Sequence, residues 1–95
     1  MRRVVVTGLG MVSPLGNDVQ TSWDNLIAGK SGIGKITRFD PSDLGCQIAG
    51  ELKGFNIEQY MPAREARRYD RFIHYGIAAS SQAIADAGFD FEKEN

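Results

Sequence analysis

Cys46 and His74 are the two side chains of this sequence that could serve as a nucleophile and a base. A cysteine thiolate becomes reactive in an accessible, electropositive setting, and a nearby histidine can take its proton. Cys46, however, lies in an alternating apolar stretch, which predicts a buried strand residue with a structural role. His74 follows Asp70 by one helical turn, so we expect these two side chains to pair on the helix surface. We therefore predict no catalytic residue in this chain.

A glycine pair after an apolar run could instead hold a dinucleotide. Gly8-Leu9-Gly10 follows Val4–Thr7, but position 13, where the third glycine of that fingerprint would fall, is Ser13. Pro14 and Gly16 also prevent a helix from starting at once. We expect the two glycines to permit close backbone packing, and we predict no cofactor.

The basic segment has the strongest functional interpretation. Arg64, Arg67 and Arg68 are spaced i, i+3 and i+4, so on a helical turn they project from one side. Arg71 extends the stripe. Such a run is usually a solvated helix face. Clustered positive charge can also raise the rate of encounter with a surface of opposite charge, but the segment by itself identifies no partner.

Several elements must position these residues. Val4–Val12 is a near-continuous apolar run, which predicts a strand covered on both faces. Asn17, with Gln20 three residues later, predicts the start of a helix that Gly29 ends. A short extended piece over 36–39 and a second strand over 46–52 follow.

The second half of the chain is predicted to be mainly helical. Asn56 predicts the cap of a turn over 57–61, and Pro62 predicts the first position of the next turn. The longest helix is predicted over 70–87, ending at Gly88. Its many small side chains indicate close packing on more than one side.

Composition excludes several function classes. The 95 residues include 11 basic and 12 acidic side chains, which argues against a nucleic-acid-binding protein. One cysteine and one histidine exclude an internal disulfide and a metal site built from those residues. The apolar runs are too short for a signal peptide or a membrane span, so we expect a soluble, cytoplasmic protein with no membrane partner.

Two strands and two long helices do not complete a fold. A two-stranded sheet is marginal in water, and a strand with two apolar faces requires cover that this chain does not supply. We therefore expect one partial domain, residues 1–95, at one end of a larger α/β subunit. Oligomerisation is the other source of such cover.

The sequence resembles the β-ketoacyl-[acyl carrier protein] synthases. The resemblance begins with MRRVVVTGLGMVSPLGN over residues 1–17, where SPLGN is most similar to the type II enzymes of fatty-acid elongation. It continues over the whole chain through Trp23, AGKSGI (28–33), ITRFD (36–40), FN (55–56), RRYDRFI (67–73) and AIADAG (83–88).

This resemblance implies the N-terminal portion of a thiolase-like fold, with an αβαβα layer order in a homodimer. It implies an enzyme that condenses an acyl thioester with malonyl-carrier protein. The family's catalytic cysteine and two histidines match no residue of this chain, so the chain alone is expected to be inactive. In the family, basic positions matching Arg64, Arg67 and Arg68 help to dock the acyl carrier protein.

Three other interpretations stay open from the sequence. A short chain could keep the docking site without chemistry, and binding of carrier protein by the isolated chain would favour that. A polyketide-type ketosynthase or its chain-length partner also fits. A nucleotide-binding domain is the third, and titration with NAD would test it.

Overall fold

The computed structural model describes residues 1–93, which contain both helices and short strands. Three helices, two strands and one 3₁₀ turn are found in that part of the chain, in the order α1 (Val19–Ile27), β1 (Ile33–Lys35), β2 (Ile48–Gly50), the 3₁₀ turn (Ile57–Gln59), α2 (Ala63–Ala66) and α3 (Arg71–Ala87). Two compact units are formed: one from Val12–Phe55, the other from Met1–Met11 with the segment that starts at Asn56.

Helix α1 begins one residue later than predicted. Asp18 is its N-cap, with an extended backbone, and its carboxylate accepts from the Thr21 backbone N–H at 2.7 Å. The predicted cap, Asn17, is therefore wrong, because its side-chain amide donates instead to the Lys53 carbonyl at 3.0 Å. The predicted end is confirmed, since Gly29 follows the helix with a φ of 74° that glycine adopts without strain.

Strands β1 and β2 form an antiparallel hairpin in the Val12–Phe55 unit. Ile33 lies opposite Gly50 and Lys35 opposite Ile48, and the Ile36 N–H adds a bond to the Gln47 carbonyl at 3.0 Å. Strand β2 is shorter than the strand predicted over 46–52, and β1 immediately precedes the extended piece predicted over 36–39.

Cys46 lies before β2 and is exposed, so the prediction of a buried strand residue is wrong. An alternating pattern is consistent with burial of one face, but within residues 1–93 no element covers that face at Cys46. Its thiol contacts the Ile48 carbonyl at 3.5 Å.

The Glu51 carboxylate ties the chain beyond β1 to the chain beyond β2. It accepts from the Thr37 hydroxyl at 2.9 Å and from the backbone N–H groups of Thr37 and Arg38. The Arg38 guanidinium lies 4.0 Å away. Partial burial alone would raise the pKa of Glu51, but the hydrogen bonds from Thr37 and Arg38 outweigh it and hold this pKa below its usual 4.5.

This lowered pKa predicts acid sensitivity of the hairpin. A carboxylate whose pKa falls on folding stabilises the fold above its unfolded pKa, and that stability is lost as the pH falls through the folded value. Protection of the Thr37 and Arg38 amides from hydrogen exchange should therefore fall below about pH 4.5. In Glu51→Gln the protection should be weaker at neutral pH and independent of pH, whereas Glu58→Gln should behave as the parent. Equal pH dependence in Glu51→Gln and the parent would contradict the assignment.

In the other unit, the N-terminal apolar run is not a strand. Val4, Val5 and Val6 are 95, 65 and 79% exposed, so the predicted strand with two covered faces is wrong for residues 1–93. A strand requires a hydrogen-bonded neighbour, and no described segment pairs with this one. The next residues instead bind α3: the Leu9 N–H donates to the Asp86 carboxylate and the Met11 N–H to the Gln82 side chain, both at 3.0 Å.

Gly8 and Gly10 allow this segment to lie directly on α3. A Cβ on Gly8 would overlap the Ala83 carbonyl oxygen, and one on Gly10 would overlap the Ala79 carbonyl oxygen. The prediction that these glycines permit close packing is confirmed. The small side chains of α3 serve the same purpose, because the backbone of residues 8–11 approaches the helix where those side chains are short.

Helix α3 is the longest element and has well-defined ends. Asp70 is its N-cap and accepts from the Arg71 N–H at 2.8 Å. Gly88 follows it with a φ of 67°, as predicted, and its N–H donates to the Ala85 carbonyl at 3.1 Å. The helix therefore begins one residue after the position predicted from its period.

Residues 1–93 bury very little apolar surface. The buried hydrophobic side chains are those of Ala66 and Ala78. The accessible surface is 7736 Å², whereas a folded monomer of this chain length would expose about 5,400 Å². The apolar faces of both units are therefore available for further protein to cover, whether from the same polypeptide or from a second subunit.

Candidate functional site

The basic segment forms one short helical turn and its exit. Arg64 lies within α2, Arg67 is its C-cap residue with helical φ and ψ of −65° and −18°, and Arg68 follows. The N–H groups of Arg67 and Arg68 donate to the carbonyls of Ala63 and Glu65. The predicted helical spacing of the three arginines is thus present. All three side chains are exposed.

The local sequence explains why a turn forms at this point. Pro62 precedes α2 with a φ of −61°, and its carbonyl accepts from the N–H groups of Glu65 and Ala66 at 3.0 Å. Pro62 is therefore the N-cap, one position earlier than predicted. Asn56 caps the preceding 3₁₀ turn as predicted, accepting from the Glu58 N–H at 3.0 Å.

The guanidinium groups of these three arginines have no recorded carboxylate partner in residues 1–93. In the part of the chain that the structure describes, no carboxylate oxygen is recorded within 4.0 Å of Arg64, Arg67 or Arg68. Asp70, the nearest acidic residue that follows them, faces the N-terminus of α3, where it accepts from the Arg71 N–H. Their positive charge is thus directed to solvent, which is the arrangement that a long-range electrostatic partner requires.

A shallow depression lies beside this turn in the same unit. Arg67, Arg71 and His74 line it together with Ile57, Glu58, Ala63, Ala66, Tyr69 and Asp70. Arg71, which the sequence predicted to extend the arginine stripe, lines this depression together with Arg67. Guanidinium, imidazole and carboxylate groups share this lining with apolar side chains, and such a mixture suits a polar protein surface better than a small-molecule cofactor.

His74 does not pair with the Asp70 side chain as predicted. Its Nε2 atom lies 2.7 Å from the Ala66 carbonyl oxygen, at the end of α2. The Asp70 carboxylate is occupied at the helix N-terminus, which explains the change of partner. The sequence offered no signal for this contact, because the two residues are eight positions apart in different helices.

Lys53 is a second residue whose role the sequence did not reveal. Its ammonium group donates to the carbonyls of Pro14, Gly32 and Glu51 at 3.2, 3.1 and 3.3 Å. Three carbonyls around one ammonium satisfy its three donors. Lys53 therefore holds loops of the Val12–Phe55 unit together and is not available to an external anion.

Neither metal-binding nor membrane-spanning features are found in residues 1–93. No group of three or more His, Cys, Asp or Glu side chains there could hold a metal ion. Among the helices of that region, none has the length and apolar character that crossing a membrane requires.

Comparison with known proteins gives a consistent result. The family model described as "Beta-ketoacyl synthase, N-terminal domain" matches residues 1–95. The chain is 53% identical over 94 residues to 3-oxoacyl-[acyl-carrier-protein] synthase 2 of Vibrio cholerae, covering 99% of this chain and 23% of that protein. It is 50% identical over 92 residues to the protein of the same name from Staphylococcus aureus strain COL, covering 97% and 22%. It thus spans about a quarter of the length of these relatives.

Solved structures agree with the sequence comparison. The chain matches the ishigamide ketosynthase/chain length factor with a TM-score of 0.83 and 35% identity, covering 96% of this chain and 23% of that one. A type II polyketide ketosynthase solved with its acyl-carrier protein matches with a TM-score of 0.71 and 31% identity, covering 100% and 25%. The predicted fold class, the N-terminal portion of a thiolase-like α/β fold, is therefore confirmed.

Proposed function

This chain belongs to the β-ketoacyl synthase family, and on that premise we propose that residues 1–95 are part of the N-terminal domain of a 3-oxoacyl-acyl-carrier-protein synthase of fatty-acid elongation. The observation that carries the proposal is the continuous match to relatives of that name, at 50 to 53% identity over nearly the whole chain. Identity to the two polyketide-type structures is lower, at 31 to 35%, which favours the fatty-acid branch over the polyketide alternative.

The proposed reaction is a decarboxylative condensation. An acyl group is held as a thioester on a cysteine, and malonyl-carrier protein loses CO₂ by cleavage of its carboxyl C–C bond. The resulting carbanion attacks the acyl thioester carbonyl, the C–S bond breaks, and the cysteine thiolate leaves. Neither Cys46 nor His74 has a role in these steps, and we propose that the chemistry lies outside residues 1–95.

The proposed contribution of this segment is docking of the acyl carrier protein. Arg64, Arg67 and Arg68 form the docking surface, supported by their exposure, their common helical turn and the lack of a recorded carboxylate beside them in residues 1–93. An acidic carrier helix would be attracted to such a surface over distances of about 10 Å at roughly 0.1 M salt, and further in more dilute salt. We further propose that the whole enzyme is a cytoplasmic homodimer, as the resemblance to the family implies.

A hybrid synthase tests the function directly. In this hybrid, residues 1–95 replace the matching segment of the Vibrio cholerae relative. We expect a folded dimer that forms 3-oxoacyl product from an acyl thioester and malonyl-carrier protein, because the replaced segments are 53% identical over 94 residues.

The hybrid with Cys46→Ser is the matched control and should retain full activity, since Cys46 is exposed and its thiol contacts the carbonyl of Ile48, two residues further along the chain. The unmodified Vibrio cholerae enzyme provides the reference rate. A hybrid that is folded and dimeric but forms no product, or one that loses its activity on Cys46→Ser, would contradict the proposal.

A further inference from the structure

The His74 ring forms a bond that joins α3 to the end of α2. Its Nε2 atom lies 2.7 Å from the carbonyl oxygen of Ala66, the last residue of α2, and the bond is partly buried. Ala66 itself is 4% exposed, so this carbonyl group belongs to the small buried part of the unit. The next residues along the chain are Arg67 and Arg68.

The chemistry of this contact determines which ring nitrogen carries hydrogen. A carbonyl oxygen only accepts, so His74 donates through Nε2–H. The carbonyl groups at a helix C-terminus lack the partners that a longer helix would supply. Besides the bond from His74, the Ala66 carbonyl accepts a hydrogen bond from the Tyr69 N–H at 3.2 Å. Of the two hydrogen bonds recorded to the Ala66 carbonyl oxygen, the one from the His74 imidazole is therefore the shorter.

We propose that His74 is a positioning residue for carrier-protein docking, which fixes the exit of α2 and thereby orients Arg67 and Arg68. This inference rests on the proposed docking function. It adds to that function a residue, His74, which is not one of the charged side chains of the docking surface. A four-residue helix is too short to be stable by itself, so the direction of its last turn depends on tertiary contacts. Without the His74 bond the two arginines would sample more directions, and part of the binding energy would be used to order them.

Two variants of the hybrid synthase separate positioning from general stability. His74→Phe keeps a planar ring but removes the donor. His74→Gln keeps an N–H donor on a flexible chain. We expect His74→Phe to weaken carrier-protein binding about three- to tenfold, the range for loss of one net hydrogen bond. His74→Gln should restore most of that loss.

The kinetic readout should show which step is affected. For His74→Phe, the KM for malonyl-carrier protein should rise while kcat and the KM for a malonyl-pantetheine analogue stay at parent values. The salt dependence of binding should also stay unchanged, since no charge at the surface has been removed.

Three results would overturn the inference: parent-like binding by His74→Phe, failure of His74→Gln to restore binding, or an equal loss of activity with the pantetheine analogue. Failure of the docking function itself is distinguishable, because then the double reversal Arg67→Glu with Arg68→Glu would also leave binding unchanged. If that reversal weakens binding while His74→Phe does not, the docking surface stands and the positioning role is wrong.

Discussion

Gly10→Ala in the hybrid synthase should lower the free energy of unfolding by about 1 to 3 kcal/mol, the range for forced overpacking and backbone displacement. The new methyl group would overlap the Ala79 carbonyl oxygen and lie 2.8 Å from the Ala83 nitrogen. Both atoms belong to the backbone of α3 and cannot rotate away. The segment over residues 8–11 would have to leave the helix.

Displacement of that segment has a second cost. The Met11 N–H donates to Gln82, whose side-chain amide also donates to the Tyr60 hydroxyl at 3.0 Å. Lifting the segment by about one ångström would break the bond between the Met11 N–H and the Gln82 side chain. The measurement is the denaturant midpoint of the hybrid, followed by circular dichroism and by activity.

Gly45→Ala is the matched control for this substitution. Gly45 is exposed, its φ is negative or extended, and a Cβ there would meet no atom within 4 Å. Its effect should stay within about 1 kcal/mol. If Gly10→Ala and Gly45→Ala had equal effects, the close approach of residues 8–11 to α3 would be disproved.

The double reversal Arg67→Glu with Arg68→Glu should weaken carrier-protein binding by the hybrid about ten- to a hundredfold at low salt. Each exposed ion pair contributes little, but a reversal replaces attraction by repulsion at two adjacent positions. The salt dependence of binding should become shallower, because fewer opposite charges approach one another. Titration of labelled carrier protein at low and high salt measures both quantities.

The control for this prediction reverses the same number of charges in the other unit. Lys30 and Lys35 are exposed and lie outside the docking surface, so Lys30→Glu with Lys35→Glu changes net charge equally. Only a small, non-specific loss of affinity is expected from it. Equal losses in the two double variants would show that net charge, and not the surface formed by Arg64, Arg67 and Arg68, determines binding.

Element ends were predictable because their causes lie within one helical turn. Gly29 and Gly88 end α1 and α3 with positive φ, and Asn56 caps its turn as predicted. The errors at Asn17 and Pro62 are each one residue. At the start of α1, the adjacent residues Asn17 and Asp18 compete for the same cap, and only the backbone conformation shows which of them accepts the bond.

Contacts between distant segments were not predictable in the same way. The apolar pattern of Val4–Val6 indicates a buried strand, but pairing depends on a neighbour that residues 1–93 do not supply. Cys46 was placed inside a strand that in fact begins at Ile48. The hydrogen-bond partner of His74 is the Ala66 carbonyl, eight residues earlier and in a different helix.

The sequence alone determined the family, the α/β class of the fold, and the helical spacing of three arginines on one turn. Family resemblance lies in the residues themselves, and helical spacing follows from local geometry, so neither requires knowledge of the tertiary contacts. Only the tertiary structure decided that Gly8 and Gly10 lie against Ala79 and Ala83, that no recorded carboxylate in residues 1–93 neutralises the docking surface, and that His74 binds the end of α2. Each of these depends on which distant atoms come within a few ångströms, and that distance is a property of the packed chain and not of any one segment.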